Sequence, residues 1–322
     1  MTRRSWLVLV ALSATTLLVV GHFTLIDLFP GDLLHRPSSA NLNAIVEVPS
    51  KPFPKKIWQS WKDDSENPTE RTIGYPHQWR AINPDWRYER MTHANMDNYV
   101  RDKTDPAIAD VFTSLHEPIL RADLLRYILM LMEGGVWADI DVYPHQPISN
   151  WIPDEYQESV NLVVGIENDH HKRPIWPGSP YSVQLSQYII LAKPNHPVFQ
   201  KLVDQVVDNL RSLLQSKPGG SQVTFEDVMS TTGPFAYTKV LMEYFSEKTG
   251  IQHNGDEFDR LNHPVLIGDV LVLPKDSFGW LSHENTHKKG DPAFLLNISS
   301  LQVGVMGIRH RFRFYVRAIS VK

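Results

Sequence analysis

The stretch R-A-D-L-L-R-Y-I-L-M-L-M-E-G-G-V-W-A-D-I-D-V, residues 121–142, decides the fold because it joins a helix, a glycine pair and a strand. Apolar residues recur through its first part at helical spacing, which predicts a helix over 117–133 with Pro118 in its first turn. The glycine pair at 134–135 is typical of a helix end. The following V-W-A-D-I-D-V then predicts a short strand over 136–142.

The segments on either side continue the alternation of strands and helices, which predicts an α/β sheet domain. Asn195 is the predicted N-cap of one of these helices, and Pro76 marks a start or a break in another. The predicted strands lie at 55–61, 86–91, 160–166 and 270–273, and the predicted helices at 69–82, 195–214 and 238–249.

Asp139 and Asp141 form an Asp-x-Asp pair at the end of the strand predicted over 136–142. Residues i and i+2 of a strand point to the same side, and neighbouring carboxylates repel unless a positive charge lies between them. A hard divalent cation, Mn²⁺ or Mg²⁺, supplies that charge and keeps positions open for phosphate oxygens. An isolated Asp-x-Asp pair is more often a polar strand end, so this prediction depends on its context.

The preceding helix supplies that context. Asp123 and Arg126 lie three residues apart, so they share a helix face. The planar guanidinium of Arg126 matches the oxygens of a diphosphate. The alternative is an ion pair on the helix surface.

The N-terminal residues predict a membrane anchor. Arg3 and Arg4 precede an apolar run at 6–26, which is about as long as a helix that crosses a bilayer. The positive-inside rule then keeps residues 1–5 in the cytosol, with a stem at 27–53 and a lumenal domain at 54–322. A cleaved signal peptide is the alternative for the apolar run.

The composition excludes several classes of function. The chain of 322 residues contains no cysteine, which excludes disulfides, cysteine-ligated zinc and thiol nucleophiles. Its formal net charge of −4 gives no broad basic field, so we expect no nucleic-acid partner.

The run D-L-L-R-Y together with G-G-V-W-A-D-I-D resembles the DXD-containing sugar-binding region of glycosyltransferase family 32. Several motifs in one order are more specific than any of them alone, and the likeness covers most of the predicted lumenal domain. The further matching segments are P-K-K-I-W-Q-S-W (54–61), N-P-D-W-R-Y (83–88), Y-I-I-L-A-K-P-N-H-P (188–197), T-G-P (232–234) and I-G-D-V-L-V-L-P (267–274).

The resemblance implies a GT-A-type, Rossmann-like nucleotide-sugar transferase domain that uses GDP-mannose and Mn²⁺ and retains the anomeric configuration. Within the family the chain is similar to the fungal Golgi enzymes that add α-1,6-linked mannose to N-glycans. That similarity implies a mannose-containing glycan acceptor, a single-pass type II orientation in the Golgi membrane and a mannosyltransferase complex as a partner. Two alternatives stay open: an inositol-phosphoceramide acceptor, and a non-catalytic subunit of such a complex.

Carried over to this sequence, the resemblance makes Asp141 the principal metal ligand. Asp139 would contact the ribose or sugar of the donor, and the metal as well. Asp123 and Arg126 would face the donor sugar and its diphosphate, and Arg126 would stabilise the charge on the leaving group.

The resemblance implies further binding residues, each with a structural alternative. Trp58 would stack on the nucleotide base, or it is a buried core residue. Thr232 and Gly233 would line the donor or acceptor pocket, or they form a plain turn before a helix.

The C-terminal segment departs from the family pattern. Family members carry a histidine followed by Ser-Trp, whereas His310 is followed by R-F-R-F-Y-V-R. His310 is still a candidate metal ligand, with His283 and His287 as reserve candidates.

Overall fold

The computed structural model describes residues 51–64, 75–176, 178–217, 223–275, 277–278 and 296–298. Several predictions fall outside these residues, namely the anchor at 6–26, most of the stem, and the metal-ligand roles of His283, His287 and His310. Within the described residues, none of the helices has both the length and the apolar character that crossing a membrane requires.

Helices and strands alternate along the described chain, as the sequence predicts. The strands are β1 (Lys56–Trp61), β2 (Arg87–Thr92), β3 (Gly135–Ala138), β4 (Val142–Pro144), β5 (Leu162–Asp169), β6 (Val183–Leu185), β7 (Ile189–Ala192), β8 (Val265–Ile267), β9 (Val270–Leu273) and β10 (Leu296–Ile298). The helices are α1 (Tyr75–Ile82), α2 (Met96–Lys103), α3 (Pro106–Ser114), α4 (Pro118–Met132), α5 (Pro197–Ser216), α6 (Phe225–Thr231) and α7 (Pro234–Thr249).

Eight of the described strands form one mixed sheet in the order β2-β1-β3-β7-β5-β9-β8, with β6 paired to β5. Strand β1 is parallel to β2 and β3, and β7 runs antiparallel between β3 and β5. Strand β9 is parallel to β5. The carboxyl ends of β3, β5 and β9 and the amino end of β7 therefore lie along one edge, called here the carboxyl edge.

A second, two-stranded ribbon pairs β4 with β10 in antiparallel register, Val142 opposite Ile298. Strand β4 begins directly after the Asp-x-Asp pair. The ribbon therefore ties the chain that leaves this pair to a segment near the C-terminus.

The sheet buries an apolar cluster on each face, because successive strand residues point to opposite sides. In β3, Trp137 belongs to the cluster that also contains the buried residues of α4, α5 and α7. Its neighbours in β3 belong to the other cluster, in which Trp79, Trp151 and Phe278 meet edge to face. The carboxyl edge is thus held by a core on both sides.

Most of the sequence predictions of secondary structure are confirmed, with ends displaced by a few residues. The helix predicted over 117–133 is α4, and the predicted strands at 55–61, 86–91, 160–166 and 270–273 are β1, β2, β5 and β9. The helix predicted over 238–249 begins four residues earlier, at Pro234. In the described part of 69–82, Pro76 lies in the first turn of α1 and so starts the helix.

The predicted N-cap of α5 is wrong. The cap is His196, whose side chain accepts a hydrogen bond from the backbone N–H of Val198. Asn195 instead has a φ of 59° and donates its own N–H to the carbonyl of Leu131. Asparagine tolerates this left-handed conformation, so it forms the turn before the helix rather than the cap.

The strand predicted over 136–142 is wrong in its second half. Strand β3 ends at Ala138, and the Val142 N–H donates to the Asp139 carbonyl at 3.0 Å, which closes a turn. Aspartate favours turns. The N–H of Asp139 still donates to the Tyr188 carbonyl, at 2.8 Å and in the register of β3 and β7, before the chain turns away. Asp139 and Asp141 therefore lie on a turn, called here the DXD turn (139–142), and not on one side of a regular strand.

The glycine pair lets α4 turn directly into β3. Gly134 and Gly135 have φ values of 63° and 89°, and a Cβ on Gly135 would lie 2.5 Å from the Lys56 carbonyl oxygen. A side chain at this position would collide with the backbone of β1. Both the conformation and the space therefore require glycine.

Gly135→Ala is expected to lower the free energy of unfolding by about 2–4 kcal/mol, since it adds a backbone clash to a left-handed conformation. Gly250→Ala is the matched control, because Gly250 has a φ of 74° and a Cβ there would meet no heavy atom within 4 Å. The control is expected to lose only about 1 kcal/mol. Denaturant titration of both variants measures the difference, and equal losses would contradict the role of the close approach.

Candidate active site at the carboxyl edge

Asp139 is fixed directly after β3 by contacts from three directions. Its carbonyl accepts a hydrogen bond from the Gln59 side-chain amide at 2.9 Å, and its backbone N–H donates one to the Tyr188 carbonyl. Its Oδ1 accepts from Arg126 Nη2 and from Trp137 Nε1, both at 2.8 Å. The side chain is 33% exposed. With Oδ1 engaged twice, Oδ2 is the oxygen available to a ligand.

Asp141 lies across the DXD turn and is half-buried. Its burial, and next the negative charge of Asp139, raise the pKa of the Asp141 carboxyl to about 7. Asp139 is compensated by Arg126, whereas the raised pKa of Asp141 shows that its negative charge is poorly compensated. A hard divalent cation prefers such carboxylate oxygens as ligands. The residues present therefore fit Mn²⁺ or Mg²⁺.

Arg126 is buried between two carboxylates. It is 3% exposed, and its Nη1 donates to Asp123 Oδ1 at 2.8 Å while its Nη2 binds Asp139. Its guanidinium also lies 5.2 Å from the centre of the Trp137 ring. The alternative of a surface ion pair is therefore wrong, because both Asp123 and Arg126 are buried. Arg126 orients and compensates Asp139 instead.

Asp123 lies beneath this arrangement rather than facing the donor, which corrects the prediction from the family. It is 2% exposed, and its Oδ2 accepts from Thr232 Oγ1 at 2.8 Å while Gln187 Nε2 donates to its Oδ1 at 3.3 Å. Burial is the main cause that raises the pKa of Asp123 to about 6, and Arg126 opposes the rise. The carboxylate is thus held by internal donors.

Thr232 and Gly233 form the turn before a helix, which is the structural alternative to a pocket lining. Thr232 is fully buried, and its carbonyl accepts from the Tyr127 hydroxyl at 2.7 Å. Gly233 is the N-cap of α7, and a Cβ there would lie 2.9 Å from Met229 Cα. Both residues are buried and support the layer under the site.

Trp58 is a core residue, which corrects its predicted stacking on a base. It is 6% exposed, belongs to the cluster under the helices, and donates its indole N–H to the Gly134 carbonyl at 3.0 Å. Stacking on a nucleotide would need an open ring face, which a core position does not give.

Sequence reasoning missed Glu167, a third carboxylate at the carboxyl edge. Burial, with a contribution from the negative charge of Asp139, raises the pKa of Glu167 to about 7, against an opposing hydrogen bond from Gln184. Its Oε2 is buried without a hydrogen-bond partner among the described residues. An acid near the end of a strand carries no distinguishing pattern, so only the strand order reveals its position.

Asp169, His171 and Asp259 form another group whose ligand atoms lie within 4.8 Å of one another. The Asp169 carboxylate already accepts from the backbone N–H groups of His171, at 2.9 Å, and Arg260, at 2.7 Å. These hydrogen bonds give the group a structural role, since they hold the loop together. The group is separate from the DXD turn.

A cavity of about 540 Å³ lies at the opposite edge of the sheet. Lys55 and Trp86, which precede β1 and β2, and Lys193, which follows β7, are among its lining residues. None of the predicted site residues lines it, so this cavity is separate from the DXD turn.

Comparison with known proteins adds three findings. Residues 69–158 match the family model described as "Glycosyltransferase sugar-binding region containing DXD motif". The chain is 34% identical over 249 residues to an initiation-specific alpha-1,6-mannosyltransferase of Schizosaccharomyces pombe, covering 74% of this chain and 61% of that protein. It is 31% identical over 261 residues to the protein of the same name from Candida albicans, covering 71% and 66%.

A more distant likeness extends over more of the chain. The mannosyl phosphorylinositol ceramide synthase CSH1 of Saccharomyces cerevisiae is 22% identical over 297 residues, covering 90% of this chain and 67% of that protein. The chain spans 61% of the length of the Schizosaccharomyces pombe relative and 66% of the Candida albicans one.

Proposed function

We propose that this chain, which belongs to the family of glycosyltransferases with a DXD-containing sugar-binding region, transfers mannose from GDP-mannose to a mannose hydroxyl of an N-glycan. The observation that carries the proposal is the DXD turn, two carboxylates at the carboxyl edge with Asp139 held by Arg126 and Trp137. The names of two relatives support mannose as the sugar and α-1,6 as the linkage. The proposed domain type is GT-A.

In this proposal Asp141 and the Oδ2 oxygen of Asp139 hold Mn²⁺ or Mg²⁺. When bound, such a cation neutralises the charge that develops on the leaving diphosphate. Arg126 and Trp137 keep Asp139 oriented, because their bonds to Oδ1 fix the direction of Oδ2. The acceptor hydroxyl attacks the anomeric carbon from the face that the diphosphate leaves, so the new C–O bond forms as the bond to the diphosphate breaks. The proton of the hydroxyl passes to the departing diphosphate, and the configuration is retained without a covalent intermediate.

The proposal places the enzyme in the Golgi membrane as a single-pass type II protein. The support is the apolar run at 6–26 behind Arg3 and Arg4. The catalytic domain would then lie in the lumen, in a mannosyltransferase complex.

The test is mannose transfer by the full-length chain, purified in detergent, from labelled GDP-mannose to an oligomannose glycan with Mn²⁺ present. We expect labelled glycan whose new bond is cleaved by an α-1,6-specific mannosidase, and a rise in melting temperature with GDP and Mn²⁺. Neither transfer nor hydrolysis of GDP-mannose, with no thermal shift, would refute the enzyme and leave the non-catalytic subunit.

A lipid acceptor is the second candidate, and the likeness to the ceramide synthase over 90% of this chain favours it. The same assay with inositol phosphoceramide in mixed micelles separates the two acceptors. Transfer to the lipid and none to the glycan would replace the N-glycan proposal.

The affinity for Mn²⁺ is expected to rise about tenfold between pH 6 and pH 8. The pKa of Asp141 is raised to about 7, so below pH 7 the cation must displace a proton, whereas above it the carboxylate is already charged. Electron paramagnetic resonance of free Mn²⁺ measures the affinity at each pH. An affinity that stays constant over this interval would contradict the assignment of Asp141 as a ligand.

A further inference from the structure

The proposed reaction assigns no role to Glu167. Strand β5 brings it to the carboxyl edge, two strands from the DXD turn. The negative charges of Glu167, Asp139 and Asp141 all contribute to the raised pKa of the Tyr188 phenol, although burial is the larger cause. The strand order therefore places Glu167 on the same edge of the sheet as the DXD turn.

The side-chain amide of Gln184 lies next to Glu167 and is itself held by Trp176. The indole N–H of Trp176 can only donate, and it lies 3.3 Å from Gln184 Oε1. With its oxygen engaged by Trp176, the Gln184 amide has its nitrogen left to act on Glu167, and Gln184 lowers the pKa of that carboxyl against the effect of burial. Gln184 is 4% exposed, so its orientation is set by the protein rather than by water.

The other half of the Glu167 carboxylate lacks a donor. Its Oε2 is buried and has no hydrogen-bond partner among the described residues. Buried polar atoms are almost always paired, so an unpaired one beside a binding region calls for a ligand group. The hydroxyls of a sugar are donors of the required kind.

We propose that Glu167 accepts a hydrogen bond from a hydroxyl of the sugar that the nucleotide donor carries. This inference rests on the proposed function and adds to it a residue that recognises the sugar half of the donor. Gln184 and Trp176 are its positioning residues. The DXD turn recognises the diphosphate through a cation, so the two groups act on different halves of one molecule.

The test compares the binding of GDP and GDP-mannose to full-length Glu167→Gln by calorimetry with saturating Mn²⁺. This near-isosteric change removes the charge that strengthens the hydrogen bond. We expect the affinity for GDP-mannose to fall about tenfold to a hundredfold and that for GDP to stay within about twofold. Glu155→Gln, a change of an exposed glutamate, is the control and should alter neither affinity.

Each other outcome has a distinct meaning. Equally weakened binding of GDP and GDP-mannose would show that Glu167 acts on the cation or the nucleotide, and unchanged affinities would show that it has no role in binding. Either result overturns this inference and leaves the proposed function standing. A wild-type chain that binds neither ligand overturns the proposed function, and this inference with it. Should Glu167→Gln not fold, Trp176→Phe, which removes the indole N–H donor and keeps an aromatic ring beside Phe225, must weaken GDP-mannose selectively.

Discussion

Asp141→Asn is expected to lower kcat for mannose transfer by about a hundredfold to a thousandfold at saturating Mn²⁺. The amide keeps the shape of the side chain but cannot supply the anionic oxygen that a hard cation prefers. Charge on the leaving diphosphate would then develop with weaker compensation. Transfer of labelled mannose by the full-length chain, measured at several Mn²⁺ concentrations, gives kcat and the dependence on the cation.

Asp102→Asn provides the control for this prediction. Asp102 is an exposed residue of α2, and its change to asparagine leaves the DXD turn untouched. The control should retain wild-type rates. An Asp141→Asn variant that also retained them at saturating Mn²⁺ would end the proposal of a cation held at this turn.

Arg126→Met is expected to lower the free energy of unfolding by about 3–5 kcal/mol. The arginine is the shared positive partner of Asp123 and Asp139, and its removal leaves negative charge buried without compensation. Arg211→Met is a matched control, since Arg211 forms the same i, i+3 pair with Asp208 on an exposed helix surface. That change should cost less than about 1 kcal/mol.

The double variant Asp123→Asn/Arg126→Met separates charge from packing. If uncompensated charge causes the loss, neutralising Asp123 should recover part of the stability that Arg126→Met removes. Denaturant titrations of the single and double variants measure the recovery. Equal losses for Arg126→Met and Arg211→Met would contradict the buried bridge.

The sequence predicts the helix and glycine pair well because their signals are local. Helical spacing marks α4, and two successive glycines mark its end, where both have positive φ. The DXD turn escaped prediction because D-I-D alternates polar and apolar residues as a half-buried strand does. What ends β3 is the turn that the Val142 N–H closes on the Asp139 carbonyl, and the alternation of residue types does not reveal it.

The positions of the site residues depended on contacts that spacing does not reveal. Asp123 and Arg126 share a helix face as predicted, but whether that face meets solvent is decided by residues such as Thr232, 109 positions away. Glu167 reaches the same region only because β7 lies between β3 and β5. Such information belongs to the strand order and not to any short motif.

The ribbon of β4 and β10 connects the segment Leu296–Ile298 to the DXD turn. Leu296–Ile298 pairs with β4, which begins where the DXD turn ends. A shortened version ending at Phe278 would keep Asp139 and Asp141 yet lose the strand that pairs with β4. Removing this segment to aid crystallisation would therefore leave the DXD turn less restrained, although every residue of the turn would still be present.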